Sequence, residues 1–322
     1  MHWEDLKAHL LAVGRARLTG EPAEQYIAYS AAGPGAGGSG AVFFAIGNRR
    51  VKLALSPESS IEIVHAGNGT ADLIFEGQHI SGHLLRPGFH CPEQAFITVT
   101  GSCIFSCRYC SVPRIGGKRK TIEEIRHMVE SVRDRIHAIS ITSGVMTSVE
   151  EEETYVIRVV KHLASYNLPI GVSIYPTAGT PDRLKEVGVS EVKFNLEAAT
   201  PELFSRMCPG LDYGLIWQVL DRSVRVFGKN RVFSNVIVGL GETDTELETC
   251  IKTLTSLGVI PVLRPLNPVA GLTGMQRPSA ERLKKIFEIH TRALADANLD
   301  PRLALTMCTN CAGCDLVPGK DA

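Results

Sequence analysis

Six of the nine cysteines fall in two tight groups. Cys103, Cys107 and Cys110 are spaced C-x3-C-x2-C, and Cys308, Cys311 and Cys314 are spaced C-x2-C-x2-C. Thiolates that close in sequence can point at one centre if the backbone loops around it. Soft sulfur ligands select zinc, copper(I) or iron–sulfur clusters. A structural zinc site asks for four ligands, and the first loop holds neither a fourth Cys nor a His. The second group lies in the last 15 residues, where the closest upstream histidine is His290. A zinc ribbon would need a second ligand pair there, so an iron–sulfur cluster is the better reading. The remaining thiols are Cys91, Cys208 and Cys250, and an odd total argues against a full set of disulfides. Cys250 reads as a packed apolar thiol in a helix.

Strands and helices must position these groups, and after residue 95 they alternate. Expected strands are Phe96–Thr100, His137–Thr142, Pro169–Tyr175, Val192–Leu196, Arg231–Val238 and Val259–Arg264. Helix starts are written in Thr121-Ile-Glu-Glu124 and Ser148-Val-Glu-Glu151, both capping-box patterns, in Thr180-Pro181 and Thr200-Pro201, in Thr243–Glu246 and at Ser279. A helix is also expected from about Tyr213 to Phe227. Six strand–helix units imply a parallel sheet with right-handed crossovers. Such barrels place chemistry at the C-terminal ends of their strands, and Cys103, Cys107 and Cys110 sit just past the first one.

The C-x3-C-x2-C spacing, with Tyr109 before the third cysteine, resembles the signature of the radical S-adenosylmethionine (SAM) superfamily. The resemblance spans roughly residues 90 to 300 and implies a partial (β/α)6 barrel. It also implies a [4Fe-4S] cluster on Cys103, Cys107 and Cys110 with one iron left for SAM. Thr142-Ser143-Gly144 is similar to the family's Gly-Gly-Glu element for the SAM amino group, but keeps one glycine and no Glu. Asn195-Leu196-Glu197, followed at a distance by Arg206, is similar to the biotin synthase-like branch, where the acid and the arginine hold the ammonium and carboxylate of SAM. Val236 to Glu242 resembles the fifth-strand adenine motif, with Val238 and Gly239 as contacts. Pro265-Leu-Asn-Pro268 fits the same branch. The cofactor carries the hard chemistry in this family, so no side chain is assigned as a catalytic acid or base.

The C-terminal cysteines with Asp315-Leu-Val-Pro-Gly, and His90-Cys91-Pro-Glu-Gln-Ala-Phe96, look like two-protein lipoyl synthases of archaeal type. The N-terminal cysteine motif of bacterial lipoyl synthase is missing. The resemblance implies sulfur insertion into a protein-bound octanoyl chain from an auxiliary iron–sulfur cluster on Cys308, Cys311 and Cys314. It further implies an octanoylated carrier protein as substrate, a paralogous radical SAM subunit, and an electron donor such as ferredoxin or flavodoxin. The fourth auxiliary ligand stays open between Cys91, then Cys208, then Asp315 or a group that is not protein. A radical SAM enzyme of another cofactor pathway, with a surviving auxiliary cluster, is the alternative; a non-enzymatic iron–sulfur scaffold is a further one.

Composition bounds the rest. Hydrophobic residues make up 44% and charged residues 21% of 322, ordinary for a globular chain able to bury a core. Lys plus Arg and Asp plus Glu both number 34, so nothing global attracts nucleic acid or an anionic membrane. Lys118-Arg119-Lys120 reads as a solvated loop before a helix rather than a phosphate site. No apolar run reaches a membrane span. The start carries acids where a signal peptide needs basic residues, so a cytoplasmic protein with reduced thiols is expected. Residues 1–90 should hold a helix and a small β region (41–46, 50–55, 61–65), residues 91–300 the barrel, and residues 301–322 the auxiliary-cluster segment. Gly33–Gly40 reads as a linker. His79 and His83 read as surface histidines in turns beside Gly77 and Gly82.

Overall fold

The computed structural model describes residues 2–30, 38–268, 272 and 274–321. The glycine-rich stretch lies mostly outside them. The N-terminal part opens with helix α1 (Trp3–Val13), followed by strands β1 (Arg15–Gly20), β2 (Ala41–Ile46), β3 (Arg49–Leu55), β4 (Glu62–Gly67), β5 (Thr70–Phe75) and β6 (Gln78–Leu85). These strands close into a barrel in the order β1-β3-β2-β6-β5-β4. Closure leaves no unpaired edge. His79 and His83 are not in turns. They lie in β6, paired with Ile74 and Thr70, while Gly77 at φ +74° makes the hairpin turn. Gly82 is a strand residue because a Cβ there would stand 2.4 Å from the Ala45 carbonyl of β2, the neighbouring strand.

The second part is a sheet of six parallel strands: β7 (Gln94–Thr98), β8 (Ala138–Thr142), β9 (Ile170–Ser173), β10 (Glu191–Lys193), β11 (Val232–Val238) and β12 (Ile260–Pro265). They neighbour each other in chain order, as right-handed βα repeats require. The connecting helices are α2 (Val112–Ile115), α3 (Ile122–Glu130), α4 (Val149–Leu163), α5 (Thr180–Glu186), α6 (Pro201–Met207), α7 (Tyr213–Phe227) and α8 (Asp244–Leu257). Helix α9 (Ala280–Asp296) follows β12, and the short α10 (Met307–Cys311) opens the C-terminal segment. This is the expected partial (β/α)6 barrel. Ile97, Ile139, Ile141, Val172, Val192 and Val236 face the helices and form the main core.

Helix starts follow the local chemistry closely. Thr121 and Thr243 make complete capping boxes with Glu124 and Glu246. Ser148 accepts from Glu151 N, but the return bond is absent because the Glu151 carboxylate turns to Thr147 and Arg119. Thr180 is one residue inside its helix, and its hydroxyl accepts from Thr177 N instead of capping. The basic run is less solvated than expected. Arg119 pairs with Glu151 and Glu152, and Lys120 donates to Thr98 O. Cys250 is buried in the core, as an apolar thiol should be.

The interior of an open six-stranded barrel has to be filled, and the C-terminal segment does so from the N-terminal ends of the strands. Glu191 Oε1 and Oε2 accept from Leu305 N and Thr306 N at 2.9 Å each, and Oε2 also from Thr306 Oγ1 at 2.8 Å. Ser140 Oγ accepts from Met307 N, and Gln94 donates to Met307 O. Gly171 is needed there: a Cβ would fall 2.1 Å from Thr306 Oγ1. The N-terminal helix is tied to the same segment by Lys7, wholly buried, which donates to both Asp321 oxygens at 2.7 and 2.8 Å. Removing one partner of a buried pair strands the other charge. Asp321→Ala is therefore expected to lower unfolding free energy by about 3–5 kcal/mol in urea titration, whereas Glu248→Ala, at an exposed i,i+4 pair with Lys252, should change little.

His290 on α9 is buried, with neither ring nitrogen bonded. Burial pushes its pKa down to about 3 from 6.5. The unfolded imidazole takes its proton near its ordinary pKa while the folded one resists, so stability from this group falls as pH drops from 6.5 toward 3. His290→Leu should flatten the fall in the urea midpoint of the apoprotein between about pH 7 and about pH 5; an unchanged slope would assign it to other groups.

Candidate functional site

The loop after β7 carries Cys103, Cys107 and Cys110 at the C-terminal mouth of the barrel. It is anchored from two sides, at Val145 and at Met207. Ile104 N donates to Val145 O, Val145 N approaches Cys103 Sγ at 3.4 Å, and Arg108 N donates to Met207 O. Gly144 lets the end of β8 press against the loop, since a Cβ there would lie 2.1 Å from Ser102 O. All three thiols are partly exposed. Burial raises the Cys110 pKa to about 11, while hydrogen bonding with Cys208 lowers that of Cys107.

Tyr109 and Glu197 meet at this mouth. The Tyr109 hydroxyl lies 3.5 Å from Cys208 Sγ, and burial pushes its pKa well up. Glu197, at φ +62°, accepts from Asn235 Nδ2 at 2.6 Å; burial raises its pKa against that bond. Asn195 Oδ1 is buried with no partner, as is Ser102 Oγ. Arg206 does not pair with Glu197; its guanidinium reaches Leu240 O at 3.5 Å. Val238 ends β11 in the core, and Gly239 turns away at φ +109°. Cys208 belongs to this mouth, beside Cys107 and Tyr109, and so stands apart from the C-terminal cysteines, for which the sequence offers it as a fourth ligand.

Two carboxylates that the sequence left unassigned organise this region. Buried Glu152 of α4 accepts from Thr100 Oγ1 at 2.7 Å, Ser143 Oγ at 2.6 Å and Arg119 at 2.8 Å. Ser143 Oγ in turn accepts from Thr100 N. The Ser143 hydroxyl is thus committed within the protein, and it sets the position of the strand end. Glu242 accepts from the amides of Gly239 and Leu240 at 2.7 and 2.8 Å and is paired with Arg282. Only its place next to the glycine turn could have marked it.

A second cavity lies deeper, lined by His90, Cys91, Phe96, Arg264, Cys308, Cys311, Gly313 and Cys314. All four of its cysteines are buried. Lys193 Nζ donates to Cys308 Sγ at 3.3 Å. A hydrogen bond with Cys91 draws the Cys311 pKa down to about 7 and raises that of Cys91. Among the described residues, no three His, Cys, Asp or Glu side chains are gathered tightly enough for one metal ion. No helix among them is long and apolar enough to cross a membrane.

Residues 97–254 match the Radical SAM superfamily. The chain carries a radical SAM domain. It is 29% identical over 190 residues to the lipoyl synthase of Corynebacterium diphtheriae, covering 55% of this chain and 52% of that protein. Lipoyl synthase of Nocardioides sp. is 28% identical over 223 residues, covering 60% and 68%. Biotin synthase of Pseudoalteromonas atlantica is 25% identical over 236 residues, covering 70% and 62%. These relatives accord with a biotin synthase/lipoyl synthase-like radical SAM branch. The chain spans about half to two thirds of their length. Among solved structures, the FeFe-hydrogenase maturase HydG from Carboxydothermus hydrogenoformans aligns with TM-score 0.54 at 19% identity, over 63% of this chain and 52% of that one. Methylornithine synthase aligns with TM-score 0.52 at 17% identity, over 62% of each chain. At such identities the likeness is one of fold.

A radical SAM domain implies a [4Fe-4S] cluster and SAM. The mouth fits them: three thiols on one loop, a buried acid in Glu197, and unsatisfied buried oxygens on Asn195 and Ser102. Because Glu152 fixes Ser143 rather than facing the mouth, its loss should act through position. Glu152→Gln is expected to weaken SAM binding about tenfold, the worth of one charge-assisted hydrogen bond, with the iron bound at Cys103, Cys107 and Cys110 unchanged. Calorimetric titration beside iron analysis checks this; wild-type SAM affinity in the variant would sink it.

Proposed function

We propose that this chain is a radical SAM enzyme of lipoyl-synthase type. It would abstract hydrogen from unactivated carbons of a protein-bound octanoyl chain and insert sulfur from an auxiliary iron–sulfur cluster on Cys308, Cys311 and Cys314. When bound, the [4Fe-4S] cluster and SAM would supply the radical chemistry for hydrogen abstraction that no positioned acid or base could perform. Cys103, Cys107 and Cys110 would hold that cluster. Glu197 and Arg206 would take the ammonium and carboxylate of SAM, Ser143 and Gly144 would shape the amino pocket, and Val238 and Gly239 would border adenine. Tyr109 and Asn195 complete the wall. The chain would act in the cytoplasm with an electron donor such as ferredoxin or flavodoxin and a paralogous subunit of archaeal two-protein type.

The single observation that carries this reading lies on one stretch of chain. Glu191, Lys193, Asn195 and Glu197 alternate into the barrel interior. Lys193 touches Cys308 and Glu197 stands at the mouth. Four residues span at most about 14 Å. The two thiol sets thus stand at two levels of one short strand, a spacing that suits a substrate carbon moving from hydrogen abstraction to sulfur transfer. Lipoyl and biotin synthase relatives support the same reading.

The test is anaerobic reconstitution with iron and sulfide, then reduction with SAM and an octanoyl-lysine peptide, alone and with a paralogous subunit. Expected results are 5′-deoxyadenosine, sulfur in the peptide and matching sulfide lost from the protein. Cys103→Ala should reduce 5′-deoxyadenosine to background. Unchanged peptide with intact cluster sulfide would instead favour the reading in which the second cluster relays electrons in another cofactor pathway.

A further inference from the structure

We propose that Cys91, Cys308, Cys311 and Cys314 form a closed four-thiolate site for an iron–sulfur cluster, counter-charged by Lys52, Lys193 and Arg264. The inference rests on the reading above only in placing a second cluster at the C-terminal cysteines. It adds the fourth ligand, the closure of the site and the cations that neutralise it.

Backbone geometry brings the four sulfurs to one cavity. Cys308 and Cys311 stand one turn apart on α10. Ala312, at φ +51°, then reverses the chain so that Cys314 turns back. Gly313 at this reversal is pressed on Phe43 of β2, where a Cβ would be 2.5 Å from the ring. Cys91 arrives from the other side, on a tight turn before β7 in which Gly88 N donates to Cys91 O. Its thiol is fully buried and in hydrogen-bond contact with Cys311. Cys208, the competing ligand, stands at the mouth beside Tyr109.

Charge makes the stronger case. Lys52 is fully buried and, among the described residues, bonds only neutral oxygens, His90 O at 3.1 Å and Ser30 Oγ at 3.4 Å. Lys193 is buried against Cys308. Arg264 lines the cavity with its Nε buried and unpartnered. Other nearby charges are matched or cancel: Arg50 pairs with Glu93, Lys7 with Asp321, Lys320 donates to Asn310 O, and the carboxylate of Glu197 on the Lys193 side offsets the guanidinium of Arg277 on the Cys314 side. Asp315 is the buried carboxylate that faces these cations, with Oδ1 unpartnered. Three cations against one carboxylate leave two positive charges where an unmatched charge costs several kcal/mol. Four thiolates on a cluster core of charge +2 carry two negative charges. Three thiolates would carry one, and four neutral thiols none. The cavity is therefore charged for complete cysteine ligation, with no iron left open to substrate.

The test uses the full-length chain with Cys103, Cys107 and Cys110 replaced by alanine, reconstituted anaerobically without substrate. Expected is one cluster, about four iron per chain, with the Mössbauer signature of all-sulfur ligation. Cys91→Ser should give an oxygen-ligand signature at one iron, and Cys91→Ala a several-fold loss of iron, while Cys250→Ala changes neither. Lys193→Met should shift the reduction potential to a more negative value, and Lys193→Arg should restore it. Full iron and an unchanged spectrum in both Cys91 variants would overturn the fourth ligand. An unchanged potential in Lys193→Met would overturn the counter-charge. One zinc in place of iron would overturn the cluster. Because no substrate is present, failure of octanoyl thiolation leaves these outcomes untouched, and their failure does not depend on that activity.

Discussion

Glu191, buried at the start of β10, is the interaction on which the molecule's interior depends. An open parallel sheet of six strands curls around a space that its own side chains do not fill. Here that space takes the C-terminal segment, and the segment enters because one carboxylate receives two amides and a hydroxyl from Leu305 and Thr306. Arg231 balances the charge from its other side. Burial raises the Glu191 pKa and these bonds oppose the rise. With the segment seated, α10 stands inside the barrel and its cysteines are enclosed. Without it, Ser140, Gln94 and Lys193 would face an open hole.

The strand that anchors the plug also meets both thiol regions at successive levels. Successive inward positions run from acid to cation to amide to acid, each at a different level of the barrel. Glu191 meets the plug, Lys193 a cysteine sulfur, and Glu197 the mouth. Asn195, between them, has an unsatisfied oxygen. A strand buried on both faces would ordinarily be apolar throughout. Here the outward residues, Val192 and Phe194, obey that rule and the inward ones do not. The polarity is spent on contents, not on the sheet.

Much of this was legible beforehand, and what was legible was local. Cysteine spacing, capping residues and the strand–helix alternation each act over a few residues. The barrel and both thiol groups could therefore be read directly. Hydrophobic pattern marks Val192–Leu196 as a strand longer than β10, because it does not reveal that Glu197 adopts φ +62° and meets β11 through a single bridge. The closed N-terminal barrel is only half visible in the sequence: β1 and β6 carry mixed polar residues without clean alternation, while β5 alternates but is only six residues long. Long-range pairings left no mark at all. Lys7 and Asp321 are separated by 314 positions, and Thr100 and Glu152 by 52. Cys91 beside Cys311 is of the same kind: the residues were conspicuous singly, but their meeting is a product of the fold.

The N-terminal barrel acquires a purpose from what it seals. Lys52 N donates to Gly313 O at 2.6 Å, its Nζ sits over the Phe43 ring, and Phe43 rests on Gly313. One strand pair therefore gives the lower cavity both an apolar wall and a cation. Solvent held away from a metal–sulfur centre leaves charge and hydrogen bonding as the terms that set its behaviour. The mouth differs, with three partly exposed thiols on a loop that solvent and small reactants reach. Two sulfur sites in one barrel are thereby given opposite surroundings. The upper thiols are partly exposed, and the lower cysteines are held by two folding units that must both be in place before they come together.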